Sequence, residues 1–258
     1  MRTVWLISKS VLVEAVRRKE IYAIILLSLL LIAGVFSINF FDVKGLTKFY
    51  REVALKIMSM ATALTVIILA CRQLPREFEN QTIYPLLAKP IRRTSFLSGK
   101  LLGVLLSALF CFSLFMLVYL AGTLYLGGSI PWIHFLEYIY LQLLQMLILA
   151  SLGFLLSLIM NLDAAITLGI IFYFTSNILI TGITYIYDFI GVAGQTVLIV
   201  LTYAIPQLAL FDFSGKTVHA EVWAPLKPGT MVVLTVYALV FSGVYYVFTA
   251  LIFRRRSI

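Results

Sequence analysis

Long apolar runs alternate with short charged segments along most of the chain. A helix of roughly 20 apolar residues can cross the ~30 Å hydrocarbon core of a bilayer. Helices are required because lipid offers no hydrogen-bond partner to an exposed backbone. The pattern therefore predicts an all-α integral membrane protein with six transmembrane helices, at about residues 21–41, 53–71, 100–126, 135–160, 164–187 and 231–253.

A seventh apolar run, residues 190–205, is shorter than the others and ends at Pro206. Its length and its two glycines favour a re-entrant or interfacial helix over a crossing, although the crossing remains an alternative. Polar residues and two prolines follow before the last span. We expect residues 188–229 to form an external re-entrant hairpin before the sixth span.

Composition supports a membrane protein. Hydrophobic residues make up 62% of the chain and charged residues 12%, with a mean hydropathy of +1.04. Soluble domains carry about twice that share of charge. Residues 1–258 thus form a single transmembrane domain with no room for a sizeable soluble one. Cys71 and Cys111 lie in or beside apolar runs, which favours packing over disulfide or metal chemistry.

Basic residues are distributed unevenly between the two sides of this topology. Most of the 20 lysines and arginines fall at the termini and in residues 72–99. The positive-inside rule places both termini and that segment in the cytoplasm. The protein is expected in the cell inner (plasma) membrane, where its charge meets lipid head groups and not nucleic acid. Six basic residues are predicted to be external: Lys44, Lys48, Arg51, Lys56, Lys216 and Lys227.

The N-terminal residues 2–19 precede the first span and mix apolar and basic positions. They fit an amphipathic helix in the cytoplasmic interface, with Trp5, Leu12 and Val16 on one side. A basic flank that only fixes the topology is the alternative. We adopt the interfacial helix as the prediction.

Catalytic constellations are missing from the sequence. His134 and His219 are the only histidines, and neither forms a zinc-binding HExxH pattern. Gly215-Lys216-Thr217 resembles the end of a phosphate-binding loop, but Leu210 stands where that loop needs its first glycine. The chain is therefore expected to be no enzyme and to hold no metal or cofactor of its own.

Polar residues inside the spans offer two interpretations, hydrogen bonds between helices or the wall of a translocation path. Gln142 and Gln145 lie on one face of the fourth span, and Thr175 and Asn177 lie midway along the fifth. These four residues are the candidate path. Gly99, Gly103 and Ser107 recur every four positions, which predicts close helix packing within the chain or across a dimer.

The segment 72–99 is the main charged interruption between spans. Pro75 can begin a short helix, and Glu77 and Glu79 suit its first turn. The apolar residues Phe78 and Leu86 among these charges indicate a surface that docks on a partner. The sequence thus predicts a cytoplasmic coupling helix between the second and third spans.

This segment resembles the ABC type-2 permease family of the ABC transporters. The shared pattern appears here as Arg76, Glu77 or Glu79, Thr82, Leu86-Leu87, Pro90, Arg92-Arg93 and Gly99-Lys100. The resemblance implies a separate ABC ATP-binding subunit that holds ATP and Mg, and a second permease copy, identical or paralogous. It implies export or extraction of a substrate by alternating access. The coupling residues it implies are Arg76, Glu77, Phe78, Glu79, Thr82 and Leu86, with Arg92 and Arg93 near the partner or lipid head groups.

Two alternatives remain beside the permease. A mechanotransmitting or scaffold subunit of an ABC-like complex would use the same coupling helix to act on an external partner. A secondary transporter is less favoured, because no acidic residue lies at the centre of a predicted span to relay an ion.

Overall fold

The structure is a computed structural model that describes residues 2–17, a few positions between 22 and 34, residues 46–79 and residues 93–255. Within these ranges the regular structure is helical, which confirms the all-α prediction. Two 3₁₀ turns, Tyr187–Phe189 and Leu208–Phe211, join some of the helices. The α-helices are α1 (Arg2–Val16), α2 (Leu46–Glu79), α3 (Arg93–Tyr125), α4 (Trp132–Ile159), α5 (Leu162–Ile186), α6 (Val192–Ala204), α7 (Ser214–Val218) and α8 (Pro228–Arg255).

In the described part of the chain, 4 helices are long and apolar enough to cross a membrane. They lie in α2, α3, α4 and α8, at the second, third, fourth and sixth predicted spans. The fifth predicted span coincides with the 25-residue helix α5, of which Leu162–Ser176 counts as a shorter apolar helix. The first, 21–41, lies mostly outside the described residues. Six spans therefore remain a prediction.

Helix α4 forms the centre of the bundle and α8 lies at its edge. In the most apolar segment of each helix, 78% of the α4 segment is buried inside the protein but only 11% of the α8 segment. A helix that is apolar on every side is expected to be buried. The Tyr138 hydroxyl donates to the Leu55 carbonyl at 3.0 Å, which ties α4 to α2. Tyr119 stacks on Phe135 with 5.2 Å between ring centroids, which ties α4 to α3.

The small-residue stripe of α3 packs against α1 of the same chain. A Cβ atom on Gly103 would lie 2.5 Å from the Cβ of Val11, so only glycine permits this approach. The Ser8 hydroxyl donates to the Gly99 carbonyl at 3.0 Å. Close packing within the chain and packing across a dimer were the two predicted alternatives, and the structure shows packing within the chain. Trp5 is exposed on the other side of α1, and an interfacial position for this helix stays a prediction.

Helix α2 differs from its prediction at Pro75. The helix does not restart there but continues through this residue to Glu79, so the prediction of a separate helix beginning at Pro75 is wrong. Proline removes one backbone donor, a loss that packed membrane helices tolerate. The neighbours Gln73 and Leu74 are buried and hold the helix in place. Of the predicted segment 72–99, residues 80–92 lie outside the described residues.

Helix α6 occupies the seventh apolar run. Its 13 residues give a length of about 20 Å, short of the ~30 Å hydrocarbon core. That length favours the re-entrant or interfacial prediction over a straight crossing. The chain then continues through Leu208–Phe211 and α7 to the start of α8.

Candidate translocation path and coupling region

A seam of buried polar side chains runs between α2 and α4. The Ser59 hydroxyl of α2 donates to Oε1 of Gln142 at 3.2 Å. Gln142 and Gln145 are 0% and 1% exposed. Within the described protein, Gln142 Nε2 and Gln145 Oε1 have no hydrogen-bond partner. An unpaired buried polar atom costs about 1–3 kcal/mol, so this seam suits a polar guest better than apolar packing alone.

A cavity of about 350 Å³ lies at one end of the seam. Ser59 lines it together with Tyr173 of α5, Lys56 of α2 and Asp212. Lys56 and Asp212 form an ion pair. The cavity is also lined by the apolar Ile57, Met60 and Phe174. Because Ser59 both lines this cavity and bonds Gln142, the cavity and the seam adjoin each other. We call the seam and this cavity the polar route.

Residues 205–227, named the cap here, cover this end of the bundle. Several contacts with α2 and α4 hold the cap in place, among them three hydrogen bonds. Arg51 donates to the Thr217 carbonyl at 3.0 Å. His134 Nε2 lies 2.9 Å from the Trp223 carbonyl oxygen. Glu137 Oε1 accepts from the Leu226 amide at 2.8 Å.

Two carboxyl groups of the cap, Asp212 and Glu221, are stabilised in their charged forms. Burial alone would raise the pKa of Asp212, but hydrogen bonds from Lys56 and Ser214 outweigh it and hold the pKa below the ordinary value of 3.8. The Ser214 hydroxyl and amide both donate to Asp212 Oδ1, at 2.6 and 3.1 Å. A hydrogen bond from Lys48 lowers the pKa of the exposed Glu221. At neutral pH both carboxyl groups are therefore ionised.

The cap also contains the tripeptide that resembled a phosphate loop. Thr217 donates to the Phe213 carbonyl at 2.8 Å, and Lys216 Nζ lies 4.5 Å from the centre of the Phe213 ring. The Thr217 hydroxyl also donates to the His134 carbonyl of α4 at 3.3 Å, so both side chains serve the packing of the cap.

At the opposite end, Lys100 of α3 forms an ion pair with Glu77 of α2. Lys100 also donates to Gln73 Oε1 at 3.3 Å and is only 4% exposed. Glu77, predicted to face a partner, is directed toward α3. The pair joins the two helices that flank residues 80–92.

Arg93 joins the start of α3 to the end of α8. Its Nη1 donates to the carbonyls of Phe253 and Arg254 at 3.4 and 3.2 Å. A guanidinium at a helix C-terminus satisfies terminal carbonyls and complements the helix dipole. Phe96 stacks on Phe253 with centroids 6.1 Å apart. Arg93 thus makes contacts within the chain, which the sequence did not predict.

The predicted path residues separate into two groups. Gln142 and Gln145 lie together in the seam, whereas Thr175 is exposed on α5. Asn177 lies on α5 with its side chain outside the described residues. Sequence reasoning missed Ser59 and Asp212; the only signal for Ser59 was a hydroxyl within a predicted span.

Most predicted coupling residues stay untested. Arg76, Phe78 and Glu79 lie on α2, but their side chains are outside the described residues. Thr82, Leu86 and Arg92 are outside the described residues altogether.

Four described helices long and apolar enough to span a bilayer indicate a multi-pass membrane protein. The chain belongs to the ABC-2 family transporter proteins, whose family model matches residues 7–258. No curated protein matched. Members of this family are generally non-catalytic membrane subunits that work with an ABC ATP-binding subunit. The resemblance seen in the sequence is confirmed.

Proposed function

We propose that this chain is the permease subunit of an ATP-driven ABC transporter that exports or extracts a substrate by alternating access. A separate ATP-binding subunit hydrolyses ATP with Mg. The family match over residues 7–258 carries the proposal. A second permease copy, identical or paralogous, completes the transmembrane unit.

The polar route supports transport as the activity. Polar groups in a membrane interior are costly and mark paths for polar cargo. Here Ser59, Gln142 and Gln145 continue inward from a cavity lined by Lys56 and Asp212. Both charge signs and neutral amides line the route. It therefore suits a polar or zwitterionic cargo better than an ion of one sign.

The Glu77–Lys100 pair supports coupling through the ends of α2 and α3. An ATP-binding subunit docked on residues 76–92 would move these two helices together, because a buried ion pair joins them. Arg93 would transmit the movement to α8 through the Phe253 and Arg254 carbonyls. In this proposal both termini and this end of the bundle are cytoplasmic, and the cap is external.

The cap favours one alternative, a mechanotransmitting or scaffold subunit. Buried groups on α2 and α4 hold the cap, among them Arg51 and His134. A movement of α2 driven by the partner would thus shift the external surface of the cap, where it could act on another protein. The polar route would then be a structural feature and not a path.

Co-purification tests the proposal. The tagged chain is extracted from its native membrane, and the eluate is assayed for an ATPase subunit and for ATP hydrolysis. We expect an ATPase at one-to-one stoichiometry. A chain that purifies alone and without hydrolysis would overturn the proposal.

Variants then locate the coupling surface. We expect Phe78→Ala and Glu79→Gln to uncouple hydrolysis from transport while the protein still inserts into the membrane. Glu52→Gln, an exposed glutamate near the other end of α2, is the matched control and should leave coupling intact. Unchanged coupling in both Phe78→Ala and Glu79→Gln at equal abundance would contradict docking at residues 76–92.

A further inference from the structure

A second cavity, of about 470 Å³, lies between α4 and α8 at the capped end of the bundle. Ile133 and Leu136 of α4 and Val232 of α8 form its apolar wall. All three are more than half exposed, so the cavity opens on the side of the bundle. It is separate from the polar route and shares no lining residue with it.

A buried carboxylate also lines this cavity. Glu137 is 6% exposed, and its Oε1 accepts from the Leu226 amide at 2.8 Å. Its Oε2 is buried without a hydrogen-bond partner, and no lysine or arginine in the described ranges forms an ion pair with it. A buried carboxylate with one unpaired oxygen is costly unless a cation meets it.

Polar hydroxyls lie beside the carboxylate on the cavity wall. The Tyr140 hydroxyl and the Thr235 hydroxyl are 2.6 Å apart and join α4 to α8. Each hydroxyl can accept a further hydrogen bond. The cavity thus combines one anionic group and two hydroxyl acceptors with an apolar wall.

The site lies near the expected boundary between head groups and hydrocarbon. Trp132 begins α4 and is exposed, and Trp223 of the cap is exposed as well. Tryptophans of this kind are enriched at membrane interfaces. Glu137 follows Trp132 by roughly 8 Å along the helix axis. A ligand here would have its polar end at the interface and its apolar end in the outer half of the bilayer.

We propose that this cavity binds an amphiphile with a primary ammonium head and an alkyl chain. The ammonium group pairs with the charge of Glu137 and donates to the hydroxyls of Tyr140 or Thr235. The chain packs on Ile133, Leu136 and Val232. A neutral amphiphile would leave the carboxylate unpaired, and an anionic one would be repelled. This inference does not depend on ATP-driven transport.

Photo-crosslinking tests the site on the full chain with its co-purifying subunits, in phosphatidylcholine nanodiscs. The probe is a long-chain alkylamine that carries a diazirine in its chain. We expect crosslinks within residues 133–140 and 231–235. Dodecylamine should compete at least about tenfold better than dodecanol, because a hydrogen bond to a charged group adds roughly that factor. Equal competition by both, or crosslinks elsewhere, would overturn the proposal.

A second arm distinguishes the two sources of such an amphiphile. Phosphatidylethanolamine is added to the nanodiscs in place of part of the phosphatidylcholine. Competition by this lipid identifies a membrane lipid as the ligand, whereas competition by dodecylamine alone identifies a free amphiphilic amine. Both results support the ammonium site.

Glu137→Gln is the decisive variant, because glutamine keeps an acceptor for the Leu226 amide and loses the charge. We expect at least a tenfold loss of crosslinking with unchanged melting temperature, and no loss in the control Glu52→Gln. Undiminished crosslinking in Glu137→Gln would overturn the proposal. If Glu137→Gln does not fold, Val232→Trp, which fills the apolar end, must abolish crosslinking instead.

Discussion

Lys100 near the start of α3 forms an ion pair with Glu77 near the end of α2, and only 4% of the Lys100 surface is exposed. Gln73 accepts a further hydrogen bond from the same ammonium group. A buried cation needs such partners, since an unpaired one is strongly disfavoured. The pair therefore fixes the ends of the two helices on either side of the predicted coupling segment.

Substitutions of Glu77 and Lys100 test whether these side chains contact each other or a partner subunit. We expect Glu77→Gln and Lys100→Gln each to destabilise the protein by about 3 kcal/mol, because each leaves a largely buried charge unpaired. The double variant Glu77→Lys with Lys100→Glu should recover much of this loss. Apparent melting temperatures in detergent measure the effect.

The same double variant tests the role of Glu77 in coupling. If Glu77 acts only through Lys100, the double variant also recovers coupled ATP hydrolysis. Recovery of stability without recovery of coupling would show that Glu77 contacts the ATP-binding subunit directly. A double variant as unstable as the singles would contradict the buried pair.

The sequence predicted where the helices lie more accurately than where they begin and end. Apolar run length predicted α3, α4 and α8 because a span must satisfy its whole backbone internally. The continuation of α2 through Pro75 was not predictable in this way. It depends on packing of Gln73 and Leu74 against neighbouring helices, which proline rules based on local structure do not include.

Part of the polar route was predictable for a similar reason. Gln142 and Gln145 stand out because amides are rare in apolar helices, and their spacing puts them on one face. Ser59 and Asp212 come from other elements, and only the tertiary fold brings them to the same cavity. Thr175 has the same polarity but faces outward, because the rotation of α5 in the bundle is set by packing.

Gly103 should resist substitution because α1 lies directly against it. An added Cβ atom would come within 2.5 Å of Val11, and such overpacking typically costs about 1–3 kcal/mol. Gly103→Ala is expected to lower the melting temperature accordingly. Gly243→Ala in α8 is the matched control, because nothing lies within 4 Å of its added Cβ. Equal melting temperatures for both variants would contradict the α1–α3 contact.

Substitution of Gln145 should change stability and function in opposite directions. Its Oε1 is buried without a partner in the described protein, so Gln145→Leu removes a costly polar atom and is expected to raise the melting temperature. Gln142→Leu also removes an unpaired buried atom, Nε2, but it leaves the buried Ser59 hydroxyl without its acceptor. It is therefore expected to gain less stability than Gln145→Leu.

If the seam is part of a path, both leucine variants reduce transport-coupled ATP hydrolysis in the purified complex. Full coupled hydrolysis in Gln145→Leu would show that the seam serves helix packing alone. Comparing the two variants separates the effects on transport and on stability, since Gln145→Leu is expected to be the more stable of the two.

Asp212 should make the attachment of the cap sensitive to acid. Its folded pKa lies below the ordinary 3.8 because Lys56 and Ser214 stabilise the carboxylate against the effect of burial. The carboxylate therefore contributes stability that is complete above about pH 3.8 and is lost as the pH falls through the lower folded pKa. We expect roughly 1 kcal/mol from this group, since Lys56 is partly solvent-exposed.

Melting temperatures measured at pH 5 and at pH 2.5 test this contribution of Asp212. The fall in melting temperature between the two pH values should be larger in the wild type than in Asp212→Asn. Glu221→Gln, on an exposed pair, should fall as far as the wild type. If the melting temperature of Asp212→Asn also falls as far as that of the wild type, the Lys56–Asp212 pair does not hold the cap.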